Sequence, residues 1–286
     1  MENKKIVILI HAHKNLECLN KLIKSLVYDN FVIYVNLDKK SDINPLHIDS
    51  SAILVKKRVN VTWGEYSIVN QTLHSLHQIV DEQEDFSHVL LISGQDYPIK
   101  SNQYIDDFFR KYKENSFIEC LLITENNKYK PYIWRYDRRH YPANRILERK
   151  IHTVYKLAYK YIMGKEYKIK MIHNLTPYWG SQWWNLSKEA VYYSLEFAKN
   201  KKITTFFTTT WCSDEVFFQV LLMNSNLKDK IINKNFRYID WTNCINSPRV
   251  LSEDDFNKII DSDNLFCRKI DKEISDSLVE KLENRR

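Results

Sequence analysis

Ile6-Val7-Ile8-Leu9-Ile10-His11-Ala12-His13 and Phe31-Val32-Ile33-Tyr34-Val35-Asn36-Leu37-Asp38, separated by apolar residues at helical spacing from Leu16 to Leu26, decide the architecture of this chain. Short unbroken apolar runs ending in polar residues read as strands. The pattern repeats: Ile53–Val55 and Val89–Ile92 look like strands, Ile68–Val80 like a helix between them. Strands alternating with helices imply an α/β, Rossmann-like fold, a mostly parallel central sheet flanked by helices. Ligands in such sheets bind beyond the carboxyl ends of the strands, which directs attention to His11, His13, Asp38 and the turn Ser93-Gly94-Gln95-Asp96. Further along, Ile118–Ile123 reads as a strand, and Leu147–Met163 and Lys188–Lys199 read as helices. Glu273–Arg286 reads as a helical tail that frays.

With 286 residues, 44% hydrophobic and 28% charged, the chain has an ordinary globular composition and room for one large domain. No run approaches the roughly 18 consecutive apolar residues of a membrane span, and Met1–Lys5 lead straight into the first strand. Neither a signal peptide nor an anchor is therefore expected. Five scattered cysteines without a Cys-x-x-Cys pair fit free thiols in a reducing cytoplasm. The net charge of +7 is uneven, because residues 128–170 hold 13 Lys/Arg against three acids, with tyrosines interleaved. That mixture suits an anionic membrane, an acidic glycan or nucleic acid, although a solvated basic helix has the same look.

Ser213-Asp214-Glu215 reads as a helix start, with Ser213 as N-cap and both acids in the first turn. A carboxylate so placed can also serve as general base toward a sugar hydroxyl, and the local sequence allows both readings. The one Asp-x-Asp, Asp261-Ser262-Asp263, falls in a late polar stretch and reads as a cap or turn instead of a metal site. No Walker or Gly-x-Gly-x-x-Gly loop is present. A departing diphosphate would then depend on cationic side chains, with Arg237, Arg249, Arg268 and Lys269 as candidates.

In chain order, Ile10–Lys14, Val35–Ser41, Trp63–Ser67, Ser93–Lys100, Gly180–Trp184, Ser213–Glu215 and Leu265–Lys269 resemble the core 2/I-branching β-1,6-N-acetylglucosaminyltransferase family, which also takes in peptide O-xylosyltransferases and bacterial relatives. The resemblance implies a GT-A fold lacking the Asp-x-Asp metal motif. It implies a single domain, 1–286, with a nucleotide-binding half to about residue 125 and an acceptor and catalytic half from about 126. It further implies inverting transfer from a UDP-sugar, N-acetylglucosamine ahead of xylose or another hexose, to a glycan or lipid-linked glycan hydroxyl. The product would be a β-linkage in cell-surface polysaccharide, formed without a metal or other cofactor.

By the same resemblance Glu215 is the base, His11, His13 and Asp38 lie near uracil and ribose, and Asp96 and Trp183 line the donor-sugar side. Arg237 and Lys269 would meet the diphosphate, with Arg249 a rival to Arg237. Animal members are Golgi proteins with an amino-terminal anchor and disulfides, from which this chain departs. A bacterial-type cytoplasmic enzyme is expected, peripheral at the inner face of the plasma membrane through residues 128–170 and without a nucleic-acid partner. Two alternatives stand beside it: a metal-dependent GT-A transferase with unrecognised ligands, and a non-catalytic glycan-binding or membrane-associated scaffold, suggested by the aromatics Trp134, Trp179, Trp183, Trp184 and Trp211.

Overall fold

The computed structural model describes residues 4–286 apart from 125, 143, 144, 170, 245 and 246, with the backbone alone at 173. Strand β1 (Lys5–Ala12) sends Ile6, Ile8 and Ile10 into one buried layer and Val7 and Leu9 into another, since successive strand residues point to opposite faces. With both faces covered, the strand needs no polar alternation. Helix α1 (Leu16–Ser25) packs Leu19, Leu22 and Ile23 on the first layer. Strands β2 (Phe31–Leu37) and β3 (Ala52–Leu54) extend the sheet in parallel.

Helix α2 (Ser67–Glu82) covers the second layer with Val69, Leu73 and Leu76. A buried amide network locks it to β2: Gln71 Nε2 donates to Asn36 Oδ1 at 3.0 Å and Asn36 Nδ2 to Ser75 Oγ at 2.7 Å. Strand β4 (Phe86–Ser93) pairs in parallel with β1 on its other side. The chain then forms β5 (Asp96–Pro98), α3 (Asn102–Lys111), β6 (Ser116–Ile118) and β7 (Leu121–Leu122). The strand expected over 118–123 is therefore two, because the chain leaves the main sheet after Ile118 and pairs elsewhere.

Helices α4 (Trp134–Asp137) and α5 (Ile146–Met163) follow, then β8 (Tyr178–Trp179), β9 (Trp184–Ser187), α6 (Lys188–Ala198), α7 (Lys201–Phe207) and α8 (Phe217–Met223). The last elements are β10 (Ile231–Ile232), β11 (Arg237–Ile239), α9 (Phe256–Asp261), β12 (Phe266–Arg268) and α10 (Lys272–Arg285). The main sheet has the order β10-β6-β9-β4-β1-β2-β3, with β9 antiparallel to both neighbours and the other pairings parallel. It is the mostly parallel, helix-flanked α/β sheet expected. A small sheet, β11-β12-β5, sits beside it, and β7 pairs with β8.

The fraying expected of the tail is corrected. Leu278, Val279 and Leu282 of α10 are buried in the first layer, and Arg286 donates to Ser25 O and Asn102 Oδ1. All five cysteines are free thiols.

Candidate active site

Glu215 closes a single 3-10 turn, Ser213–Glu215, entered through Cys212 in the left-handed region at φ 49°. The expected cap is not there: Ser213 Oγ is buried without a hydrogen-bond partner, and the α-helix starts only at Phe217. The cause is the preceding contact. Cys212 N donates to Gly64 O at 2.7 Å, and Gly64, at φ 74°, lies so close to the Trp211 ring that a Cβ would stand 2.8 Å from it. On the other side Gly180 N donates to Glu215 O at 3.0 Å. A Cβ on Gly180 would meet the Glu119 carbonyl oxygen at 1.7 Å, so only glycine lets these three segments converge.

The Glu215 carboxylate is 31% exposed and held at one oxygen: Trp179 Nε1 donates to Oε2 at 3.0 Å, and Arg135 Nη1 donates to the same atom. Arg135 is clamped in turn, its guanidinium 5.7 Å from the ring centroids of Tyr132, Trp134 and Trp179. Tyr132 and Trp179 stack at 4.0 Å. Two more carboxyls adjoin. Burial, then the charge of Glu215, pushes both Asp214 and Glu119 above the usual carboxylate range.

Past the strand ends lies a second cluster. Asp96 on β5 pairs directly opposite Arg268 on β12, and Arg268 Nη1 donates to Asp96 Oδ1 at 2.9 Å. The other oxygen, Oδ2, accepts from Ser93 N at 3.1 Å. The Arg268 guanidinium lies 4.2 Å from the Trp183 ring centroid. Beside it, the His13 imidazole is shifted down by burial and by Lys14, against an upward pull from Asp38, with Lys269 and Arg268 adding to the downward shift. Burial, Lys14 and Arg268 lower Lys269 as well. His13, Lys14, Asp38, Arg268 and Lys269 thus share one electrostatic neighbourhood.

His11 lies beneath it, fully paired in β1, its imidazole pushed down to about 3 by burial and its Nε2 without a partner. Asp38 Oδ1 accepts from Lys40 N at 2.9 Å and Val61 N at 3.3 Å, which fixes the loop around it. The residues Trp179 to Trp183 join the two clusters, the first holding Glu215 and the last supporting Arg268.

The sequence model of the Core-2/I-Branching enzyme family matches residues 7–260. The chain belongs to that family. Among curated proteins it is similar to xylosyltransferase 1 of Homo sapiens, 21% identical over 97% of this chain and 30% of that protein. It is also similar to xylosyltransferase 2 of Rattus norvegicus, 20% identical over 93% of this chain and 32% of that protein. The chain thus spans about a third of these relatives. A solved structure, 4-diphosphocytidyl-2C-methyl-D-erythritol synthase from Anaerococcus prevotii DSM 20548, superposes at a TM-score of 0.35 with 11% identity, covering 70% of this chain and 77% of its own, too loosely to bear on the fold. Membership of the Core-2/I-Branching enzyme family goes with a GT-A-like fold.

Of the residues singled out from the sequence, Glu215 stands in one cluster, and His13, Asp38, Asp96, Trp183 and Lys269 gather around the other. Arg237 joins that second cluster from inside the protein: its side chain has no exposed surface, its Nε lies 3.9 Å from Asp96 Oδ2, and it donates to Leu91 O and Asn185 Oδ1, both at 3.0 Å. Arg249 is committed to Asp240 and Asp255, at 2.6 Å each. Asp263 pairs with Lys234 just past α9, and Ser262 caps that helix, as a turn would. Sequence reasoning missed Arg135, Glu119 and Lys14 as site residues. Arg135 lay inside a basic stretch whose summed charge hid an arginine that turns inward.

Proposed function

We propose that this family member is an inverting transferase that moves a sugar from a UDP-sugar to an acceptor glycan hydroxyl, with Glu215 as the base. The observation that carries the reading is a carboxylate held through one oxygen by Arg135 and Trp179, while no hydrogen bond among the described residues falls on Oε1. In the proposed step Oε1 takes the proton of the acceptor hydroxyl as the hydroxyl oxygen attacks the anomeric carbon. The bond from that carbon to the diphosphate breaks, and UDP departs with the electron pair. Fixed cations near the departing oxygen are worth most when they need no reorganisation. Arg268, braced between Asp96 and Trp183, and Lys269 suit that task, with Lys14 beside them.

Transfer without a metal is part of the proposal. Its support is that side-chain cations supply positive charge at the strand ends, where the diphosphate would depart. The donor sugar is proposed as N-acetylglucosamine, forming a β-linkage in cell-surface polysaccharide, with xylose the rival that the named relatives bring. A turnover and thermal-shift screen of UDP-sugars, with and without EDTA, tests nucleotide, sugar and metal together. Complete loss in EDTA restored by Mn²⁺ would overturn the metal-independent step. Glu215→Gln should keep UDP binding and lose turnover by about 10²–10⁴-fold; unchanged turnover would remove Glu215 from its role.

A further inference from the structure

Helix α5 is 18 residues long and contains no buried residue. Most helical stability in proteins comes from packing of an apolar face against something, not from propensity alone. The body of the protein provides little: His152 touches the rings of Tyr141 and Tyr167, and Tyr155 and Tyr159 touch Tyr167, at centroid distances of 5.0–6.0 Å. At 3.6 residues per turn, Leu147, Ile151, Val154, Leu157, Tyr161 and Ile162 fall within an arc of about 140° that faces away from these contacts. Each of the six is 60–91% exposed. An apolar patch of this size on a soluble protein marks a surface that something else covers.

The charge around the patch says what. Between Arg145 and Lys168 there are seven Lys/Arg and two acids. Arg149, Lys156 and Lys160 line the helix face opposite the apolar arc, and Lys150 alone interrupts the arc. A second copy docked through this arc would cover the apolar residues but offer nothing to Arg149, Lys156 and Lys160 on the other face. An anionic lipid surface accepts both components, the acyl boundary taking the leucines and isoleucines while the long lysines reach the headgroups. The helix is not apolar enough to cross a bilayer.

We infer that α5 lies in the plane of an anionic membrane surface as a docking helix. The chain leading into it is tied to the wall of the proposed active site: Arg135 holds Glu215, and the His140 ring packs 4.2 Å from that of Trp211. Docking through α5 therefore sets the Glu215 wall beside the bilayer. The inference does not depend on the transfer chemistry.

The test is flotation of the full chain with phosphatidylglycerol-containing vesicles and with purely phosphatidylcholine vesicles. Binding should require the anionic lipid and weaken with salt. It should fall about fivefold for each cation removed in Arg149→Gln, Lys156→Gln and Lys160→Gln. Val154→Asp with Leu157→Asp should reduce it by at least about tenfold while leaving Tm and turnover on a soluble acceptor unchanged. A Tyr161→Trp reporter should shift its emission to the blue on anionic vesicles. The inference is overturned if the two vesicle types bind alike, if the aspartates leave binding intact, or if the reporter does not respond. It is also overturned if the aspartates instead dissolve a dimer that does not bind vesicles.

Discussion

Arg135→Ala is the substitution that tests the site most directly. In the parent, the guanidinium donates to Glu215 Oε2 and is boxed by three aromatic rings. Removing it leaves the Glu215 carboxylate with Trp179 alone, next to Asp214 and Glu119. A hydrogen bond between charged groups contributes about 1.5–3 kcal/mol. Glu215 is 31% exposed, so solvent screening reduces this to about 1–2 kcal/mol of positional energy. Spent on orienting the base, that amounts to roughly a 5- to 30-fold fall in kcat. A displaced carboxylate could extend the loss to about a hundredfold. The cations at the strand ends are untouched, so KM for the UDP-sugar should stay within a factor of about two, since a change confined to kcat removes an interaction made only in the transition state. Arg135→Lys, which keeps the charge but not the planar fork, should fall between the two. The assay is steady-state turnover with a soluble acceptor, alongside Tm to confirm folding. Turnover of Arg135→Ala equal to or above the parent's would refute the argument, because the ion pair would then restrain Glu215 instead of positioning it.

Gly180→Ala should fail to fold normally or lose more than about 3 kcal/mol of stability, measured by urea unfolding, because its Cβ would sit 1.7 Å from the Glu119 carbonyl oxygen. Lys269→Ala should lower kcat/KM by about 10² through lost stabilisation of the leaving diphosphate, with Tm nearly unchanged because, among the described residues, the half-buried side chain donates only to Ser247 Oγ at 3.2 Å. Burial and the neighbouring Glu215 raise the Asp214 carboxyl from 3.8 to about 7, so the folded protein keeps this proton to higher pH than the unfolded chain, and stability falls as pH rises through that interval. Asp214→Asn should therefore gain at least about 3 °C in Tm over the parent above pH 7, with the gain vanishing near pH 4; a gain of equal size at both ends would contradict the assignment.

What the sequence makes legible follows from the range over which each signal acts. The runs at Ile6–Ile10 and Phe31–Leu37 can be read because a strand covered on both faces needs apolar residues at every position. Helix α5 announces its period in the same way, and its isolation from the core is foreshadowed by the charge around it. Arg237 and Arg135 show where such reading ends. Each is an arginine in a short polar-aromatic segment, and local pattern cannot tell which will point inward. Arg237 is enclosed because β11 lies beside β12, which places its guanidinium against Leu91 O and Asn185; Arg135 is turned inward because Tyr132 and Trp179 stack beneath it. Ser213 fails as a cap for a related reason. A β-region N-cap is the local preference, but Gly64 draws Cys212 into the left-handed region, so the next residues form a 3-10 turn that leaves Glu215 between Arg135 and Trp179. The departure from the local rule and the placement of the carboxylate have one cause: a glycine more than a hundred residues earlier in the chain.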